Sequence, residues 1–271
     1  MTAHVDVSAA KALFVQPHFD DIALSCGAAA AAAAAAGDNP IVVTLFSAAP
    51  SAAVWLSAAA HELHVAWGSS DPAIVWQKRR AEDDEALGVL GAEGVRFDEL
   101  DALYRGYEPA TIMAGVVAPT DRALVQRLED RLVALWRQTA EAVVYLPLAV
   151  GLHVDHVLAH DLGGAFARHG ARIRYYEDFP YLAVGDLFEQ RFRQLPEGLV
   201  PVLVPAEPWL ATRMRAIEAY RSQLPRLFRD GGPLPGPCEP RIRKHAAAVN
   251  PAGPPCERFW ALQALEWRRG S

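Results

Sequence analysis

The chain has 271 residues, of which 52% are hydrophobic, and its formal net charge at pH 7 is −6. A hydrophobic fraction of this size excludes a disordered protein, and the length fits one large α/β domain over residues 1–271. A negatively charged chain has no basic field to attract phosphate backbones or anionic lipid, so we expect no nucleic-acid partner.

The N-terminus and the cysteines predict a cytoplasmic protein. The first residues lack the apolar run of a secretory signal, and the longest apolar tract, 28–36, is too short to span a bilayer. Cys26, Cys238 and Cys256 form no Cys-x-x-Cys motif. A bridge between Cys238 and Cys256 is one interpretation, but free thiols in a reducing cytosol are the expectation.

The first elements form a strand–helix–strand unit. Residues 12–15 predict a buried strand, and the alanine-rich stretch 21–36 predicts a helix that ends before Gly37 and Pro40. Residues 41–46 predict the second strand. The unit has the length of a right-handed crossover between two parallel strands.

Residues 50–76 interrupt this pattern with an aromatic-rich insertion. Its aromatic side chains are Trp55, His61, His64, Trp67 and Trp76. An insertion after the C-terminal end of a strand predicts a lid over a site, and the alternative is a peripheral helix whose tryptophans pack on the core. The sequence leaves both interpretations open.

Helices and strands continue to alternate to about residue 225. Helices are predicted at 79–90, 121–138, 153–169 and 209–224, and strands at 94–97, 143–148, 173–176 and 199–204. A Pro/Gly-rich loop is predicted from there through Pro255, within a looser C-terminal extension over 226–271. The alternation predicts an α/β fold with a Rossmann-like, mostly parallel sheet, helices on both faces and an inserted lid region in a single domain.

A cluster of imidazole and carboxylate groups, Pro17-His18-Phe19-Asp20-Asp21, follows the first strand. In open α/β sheets, catalytic groups gather at the C-terminal ends of strands. His18 and Asp21 are close enough in sequence to reach one ion, whereas Asp20 diverges from Asp21 and faces the substrate. The ordinary alternative for this motif alone is a helix N-cap, because carboxylates are favoured beside free N–H groups.

A second cluster, His153-Val154-Asp155-His156, follows the strand predicted at 143–148. His156 is the candidate third metal ligand. His153 is a candidate acid for the leaving group, or a cation that stabilises the oxyanion. Asp155 is a candidate for orienting a histidine by accepting its second N–H.

The ligand set His18, Asp21 and His156 predicts a catalytic metal. Three nitrogen and oxygen ligands with an open fourth position are typical of catalytic zinc. Zinc lowers the pKa of bound water to about 7, and Asp20 is then the natural general base. We expect one Zn²⁺ per chain, with Fe²⁺ as the alternative ion. The remaining histidines of that helix, at positions 160 and 169, are expected on a solvated face.

The paired motifs resemble those of the PIG-L / LmbE-like family of zinc-dependent N-deacetylases and amidases. That family carries Pro-His-x-Asp-Asp after its first strand and His-x-Asp-His after a later one. By this resemblance the zinc ligands are His18, Asp21 and His156, the general base is Asp20, and the residues acting at the tetrahedral intermediate are His153 and Asp155.

The resemblance extends over most of residues 12–225 and implies two substrate contacts. Arg79, in an Arg-x-x-Glu segment, is implied to contact substrate hydroxyls, and Asp101 lies where the family places another substrate-binding acid. Ile22 departs from the pattern, because many relatives carry Glu at this position; it leaves the proposed ligands in place.

The implied reaction is hydrolysis of an N-acyl group, usually acetyl, from a glucosamine-type sugar. The aromatic insertion and the arginine-rich, lysine-poor composition favour a glycosylated natural product, such as a glycopeptide or aminoglycoside antibiotic precursor. The alternative enzyme is an amidase that cleaves a sugar–amino acid amide. A nucleotide-binding module is disfavoured because two carboxylates stand where its Gly-x-Gly-x-x-Gly turn belongs, and a non-catalytic sugar-binding protein is disfavoured because Asp20 is present.

Overall fold

A computed structural model describes residues 5–51, 57–228 and 236–262. Its strands in chain order are β1 (Ala12–Gln16), β2 (Ile41–Thr44), β3 (Glu93–Arg96), β4 (Val143–Pro147), β5 (Ile173–Tyr176), β6 (Leu199–Pro205) and β7 (Cys256–Leu262). They form one sheet in the order β3-β2-β1-β4-β5-β7-β6. The first five strands are parallel, and β7 runs antiparallel to both of its neighbours.

Helices connect these strands and cover the sheet. They are α1 (Asp21–Ala35), α2 (Ala58–Ala66), α3 (Pro72–Leu90), α4 (Pro109–Ile112), α5 (Arg122–Trp136), α6 (Val154–Asp161), α7 (Gly163–Arg168), α8 (Leu187–Phe192), α9 (Leu210–Glu218), α10 (Leu224–Leu227) and α11 (Cys238–Val249). None of the helices within the described ranges is long and apolar enough to cross a membrane.

Alternate side chains of each strand point to opposite faces of the sheet, and each face has its own core. On β1, Phe14 packs in the core beneath α1, α3 and α9, whereas Leu13 and Val15 pack in the core beneath α5 and α6. Both faces of the central strands are therefore covered, as parallel sheets require. The predicted α/β class, with a mostly parallel sheet and helices on both faces, is confirmed.

The strand order reverses between β1 and β4. The chain runs outward from β1 through β2 to β3, and β4 then pairs with the other side of β1. Ligands of open α/β sheets bind at such a switch point, outside the carboxyl ends of the strands. The two motifs of the sequence follow β1 and β4, so the topology brings them to the same place.

The C-terminal part of the chain corrects the sequence prediction. The helix predicted at 209–224 ends at Glu218, and the loop predicted through Pro255 contains α11. In the sequence, Gly236, Pro237 and Pro240 argue against a helix. In the structure, Gly236 and Pro237 precede α11, and Pro240 lies in its first turn, where proline is tolerated. Its apolar contacts come from Ile242 and Ala246, one turn apart and both buried.

Strand β7 was also missed. It enters the sheet between β5 and β6, so the predicted sixth strand pairs with the chain terminus and not with its predecessor. Pro201 and Pro205 fit β6 because it lies at the sheet edge, where a missing N–H breaks no ladder. The helix predicted at 153–169 is interrupted at Leu162, between α6 and α7. All three cysteines are free thiols.

The aromatic insertion of residues 50–76 is partly described. Trp55 lies outside the described residues. Trp67 and Trp76 are buried, and the Trp76 indole donates to the Ser47 carbonyl at 2.7 Å and packs on Phe19. Trp76 therefore packs on the core, and whether the segment acts as a lid stays a prediction.

Candidate active site

The first motif turns sharply between β1 and α1. Asp20 adopts φ +94°, in the left-handed region, and Asp21 begins the helix. The turn is closed by the His18 backbone N–H, which donates to Asp21 Oδ2 at 2.7 Å. A non-glycine residue in this region stores backbone strain and often marks a functional site. The turn sends the two adjacent carboxylates in different directions.

The three predicted metal ligands lie together. One ligand atom each from His18, Asp21 and His156 lies within 4.8 Å of the other two. His18 Nδ1 is 3.6 Å from Asp21 Oδ2, and His156 Nε2 is 3.5 Å from Asp21 Oδ1. Two imidazoles and one carboxylate at this spacing form a donor set that suits a divalent cation.

Each of the two imidazoles is oriented by a buried carboxylate behind it. His18 Nε2 donates to Asp155 Oδ2 at 3.0 Å, and His156 Nδ1 donates to Asp178 Oδ1 at 2.6 Å. Since a carboxylate only accepts, each bond takes up one ring nitrogen as a donor and leaves His18 Nδ1 and His156 Nε2 as the nitrogens that can bind a cation once they are deprotonated. Those are the atoms that face Asp21. Such partners are the usual support of a metal-binding histidine.

His18, His153 and Asp155 form a second group of atoms within the same distance. This group is explained by hydrogen bonding, because Asp155 Oδ2 already accepts from His18 Nε2 and from the Ala102 backbone N–H, each at 3.0 Å. Asp155 is fully buried. Burial raises its pKa, but the His18 hydrogen bond and the Arg105 charge outweigh this and hold the pKa well below its usual range.

Asp20 lines the cavity beside the ligand cluster. Burial and the neighbouring Asp21 carboxylate raise its pKa to about 8, although the Arg79 and His18 charges oppose the shift. The repulsion between Asp20 and Asp21 is what a bound cation would relieve. Relief of that repulsion lowers the pKa of Asp20 and favours its carboxylate form, which can take up a proton during a reaction.

Arg79 lies on α3 with its guanidinium 4.5 Å from the centre of the Trp67 ring. The side chain is buried, and its Nε has no hydrogen-bond partner among the described residues. It also lines the cavity. A buried guanidinium has unmet hydrogen-bonding capacity, which a polar ligand would satisfy.

His153 forms the N-cap of α6. Its Nδ1 accepts from the Asp155 backbone N–H at 3.2 Å, so the neutral ring carries its proton on Nε2. Burial and the His18 charge lower the pKa of His153 well below its usual value. The lowered pKa favours the neutral ring, which donates a hydrogen bond from Nε2.

A cavity of about 640 Å³ opens over these groups. Six of the eight predicted site residues line it, and Asp155 and His156 lie buried directly behind. The six are His18, Asp20, Asp21, Arg79, Asp101 and His153. Asp101 lies with its Oδ2 3.5 Å from His18 Nε2, and its Oδ1 accepts from the Leu103 N–H.

Away from this polar floor the cavity walls are largely apolar. The wall residues are Leu63, Ala66, Trp67, Leu103, Pro109, Ile112, Met113 and Leu227. They come from the aromatic insertion, from the segment around α4 and, for Leu227, from α10. Glu62 and Arg226 add charges among them.

Sequence reasoning gave two residues of the site no role. Asp178 lies two residues after the end of β5, close to the kind of position that drew attention to the two motifs, so its placement after a strand was an available signal. Arg105 donates to Asp155 Oδ1 at 2.6 Å, and nothing in its local sequence indicates that contact.

Comparison with known proteins agrees with the geometry. A family model described as PIG-L, GlcNAc-PI de-N-acetylase, matches residues 13–167. The 2'-N-acetylparomamine deacetylase of Streptomyces fradiae is 30% identical over 218 residues, which cover 79% of this chain and 73% of the relative. The enzyme of the same name from Niallia circulans is 25% identical, covering 80% and 82%.

Two solved structures cover nearly the whole chain. The A40926 pseudoaglycone deacetylase Dbv21 superposes with a TM-score of 0.76 at 27% identity, covering 94% of this chain and 97% of its own. The zinc-inhibited form of the teicoplanin deacetylase Orf2 gives 0.75 at 27% identity, covering 92% and 96%.

Proposed function

This chain belongs to the PIG-L family of de-N-acetylases, and from that premise we propose that it hydrolyses the N-acetyl group of a glucosamine-type sugar carried by a larger natural product. The observation that carries the proposal is the position of Asp20. It stands beside a three-ligand cluster on the floor of a cavity, with His153 lining the same cavity.

We assign His18, Asp21 and His156 as the residues that hold one divalent cation. A cation bound there would act as a Lewis acid that polarises the acetyl carbonyl and acidifies water. Zn²⁺ fits the donor set, and Fe²⁺ is the alternative. Because Orf2 has a zinc-inhibited form, the amount of zinc is a variable to control in any assay of activity.

The remaining polar residues have separate roles in the proposed reaction. Asp20 takes the proton of the attacking water and passes it to the amine that leaves. His153 donates its Nε2–H to the oxygen that becomes negative at the tetrahedral stage. Arg79 and Asp101 bind sugar hydroxyls, and the presence of both side chains in the lining of the cavity supports this role.

The size and walls of the cavity support a glycoconjugate and not a free sugar as substrate. About 640 Å³ is in the range that holds a drug-sized ligand, and a sugar ring over the polar floor leaves the apolar walls uncovered. The names of the relatives give 2'-N-acetylparomamine, the A40926 pseudoaglycone and teicoplanin as the compounds that they deacetylate. The apolar walls favour an aglycone with apolar surface, as on a glycopeptide.

The test is hydrolysis of N-acetylglucosaminyl compounds of increasing size, followed by mass spectrometry. We expect loss of acetyl, with faster turnover of conjugates that carry an apolar aglycone than of the methyl glycoside. Removal of metal by a chelator should abolish the reaction, and one equivalent of Zn²⁺ or Fe²⁺ should restore it. Release of an amino acid from a sugar–amino acid amide tested in parallel, with no loss of acetyl from the N-acetyl compounds, would support the amidase alternative, and full activity after chelation would exclude the metal mechanism.

A further inference from the structure

Arg105 lies outside both motifs, yet its side chain joins the ligand cluster to the segment that follows β3. One terminal nitrogen, Nη2, donates to Asp155 Oδ1 at 2.6 Å and to Asp121 Oδ2 at 3.0 Å. Nε donates to the same Asp121 oxygen at 3.1 Å, and Nη1 donates to the Leu100 carbonyl at 2.7 Å. The guanidinium also lies over the Phe46 ring, 4.8 Å from its centre. Its orientation is fixed on every side.

These contacts complete the surroundings of the Asp155 carboxylate. Oδ2 accepts from His18 Nε2 and from the Ala102 N–H, and Oδ1 accepts from Arg105. Asp155 has no exposed surface. A buried carboxylate that loses its cationic partner is strongly destabilised, so it moves or admits water.

The position of Asp155 decides which nitrogen of His18 is available. While Asp155 Oδ2 accepts the Nε2–H, the nitrogen left for a cation is Nδ1, 3.6 Å from Asp21 Oδ2. If Asp155 turned away, the proton could transfer to the other nitrogen and the ring could rotate. The ligand would then no longer be preorganised.

We propose that Arg105 is a positioning residue of the cation site, which acts on the ligand His18 through Asp155. The proposal rests on the proposed function only in taking His18 as a ligand. Arg105 contacts neither the ligand atoms nor the cavity. Its effect is to hold one carboxylate oxygen so that the other remains aligned with His18.

A second role for Arg105 has to be separated from this one, because the same guanidinium fastens a surface segment. Asp121 accepts from Arg105 and from the Tyr107 hydroxyl at 2.8 Å, and the Ala118 N–H donates to Tyr107 at 2.8 Å. Tyr107→Phe removes that part of the network and leaves the pair of Arg105 and Asp155 intact. It is the matched control for fastening alone.

The experiment measures Zn²⁺ affinity of the full chain by competition with a chromogenic chelator, without substrate, alongside the free energy of unfolding. Arg105→Gln should weaken Zn²⁺ binding by about 10- to 100-fold, the usual effect of losing a partner behind a ligand. Arg105→Lys should fall between Gln and wild type, because an ammonium does not reproduce the fork that spans two carboxylates. Tyr107→Phe should lower stability and leave the affinity unchanged.

Unchanged Zn²⁺ affinity in a folded Arg105→Gln protein would overturn the proposal and leave Arg105 with the fastening role alone. Should the Gln variant fail to fold, the Lys variant decides by the same criterion. An affinity loss of equal size in Tyr107→Phe would also overturn it, since fastening would then explain the effect. Because no substrate is present, the result is independent of whether the protein deacetylates the sugars proposed above.

Discussion

The different tasks proposed for Asp20 and Asp21 follow from backbone geometry. The positive φ of Asp20 turns the chain so that Asp21 starts α1 and is tied to the His18 N–H, while Asp20 faces the cavity. Holding a non-glycine residue there costs on the order of 1 kcal/mol. The surrounding contacts stabilise it, among them the Ile22 N–H, which donates to the Gln16 side chain at 3.2 Å. The strained backbone of Asp20 therefore lies at the point where two adjacent carboxylates take different roles.

Asp20→Asn tests this division. The amide keeps the shape of the side chain but cannot take a proton, so we expect kcat to fall by about 10²- to 10⁴-fold, the usual contribution of a general base. Zn²⁺ content should remain at the wild-type level, because Asp21 and not Asp20 belongs to the ligand cluster. Steady-state kinetics and metal analysis on the same preparation check both points.

The control is Asp130→Asn, which removes an exposed carboxylate on α5 and should change neither quantity. Loss of zinc together with activity in Asp20→Asn would make Asp20 a ligand. Wild-type kcat would exclude it as the base.

Single residues of the site were predictable where a local motif announced them. His18, Asp20 and Asp21 lie within four positions, and their spacing after a strand indicates chemistry by itself. Arg105 carries no such signal. Its contact with Asp155 depends on how the segment after β3 folds over the sheet, and that path is set by tertiary packing.

At the scale of elements, the helical geometry of α1 is interrupted near its middle. Its backbone leaves helical geometry at Cys26, with φ −147°, which frees N–H groups at the start of the second half. Glu257 of β7 accepts from two of them, Ala28 and Ala29, at 3.0 and 2.7 Å. Arg213 of α9 donates to the same carboxylate at 2.9 Å. The buried ion pair of Glu257 and Arg213 therefore caps the second half of α1.

Glu257→Ala should lower the free energy of unfolding by about 3 kcal/mol, because it leaves the buried Arg213 charge and two N–H groups without their partner. Chemical denaturation with two spectroscopic probes measures the change. Glu239→Ala is the control, since that carboxylate pairs with Arg243 on the exposed face of α11. A Glu257→Ala protein as stable as the control would show that the cap contributes nothing.

The elements that sequence reasoning missed, α11 and β7, share a cause. Both follow a stretch rich in proline and glycine, and β7 is built by partners that are distant in the chain. Glu257 is a buried acid on a central strand, contrary to alternating patterning, because α1 and Arg213 need it there. Strand propensity and hydrophobic periodicity are read from one segment by itself. They therefore miss a strand such as β7, in which a residue is present because it binds another element.

At the scale of the whole molecule, the site depends on the pairing of β1 with β4. Neither motif holds a complete ligand set, and the parallel register that aligns Leu13 with Val144 brings them together. The sequence predicts parallel strands but not their order, because order is decided by long-range packing. The switch point could therefore be located only once the sheet was known.

The pH dependence of global stability provides a last test, centred on His160. Expected on a solvated face, its ring instead packs against Tyr175 and donates Nδ1–H to the Pro147 carbonyl at 3.0 Å. Burial, helped by the nearby Arg191 charge, lowers its pKa from 6.5 to about 4. The unfolded chain therefore takes up the proton first as the pH falls, so stability present above about pH 6.5 is lost toward pH 4.

His160→Gln keeps an N–H donor for the Pro147 carbonyl and removes the titrating group. We expect wild type to lose about 1–2 kcal/mol of stability relative to this variant when the pH falls from about 7 to about 5. Urea unfolding of both proteins at the two pH values measures the difference, and His169→Gln, which removes an exposed histidine, is the control. If the free energy of unfolding of wild type minus that of the variant is the same at both pH values, His160 titrates alike in the folded and unfolded chain. Its burial between β4, β5 and α8 would then not set the acid limit of the fold.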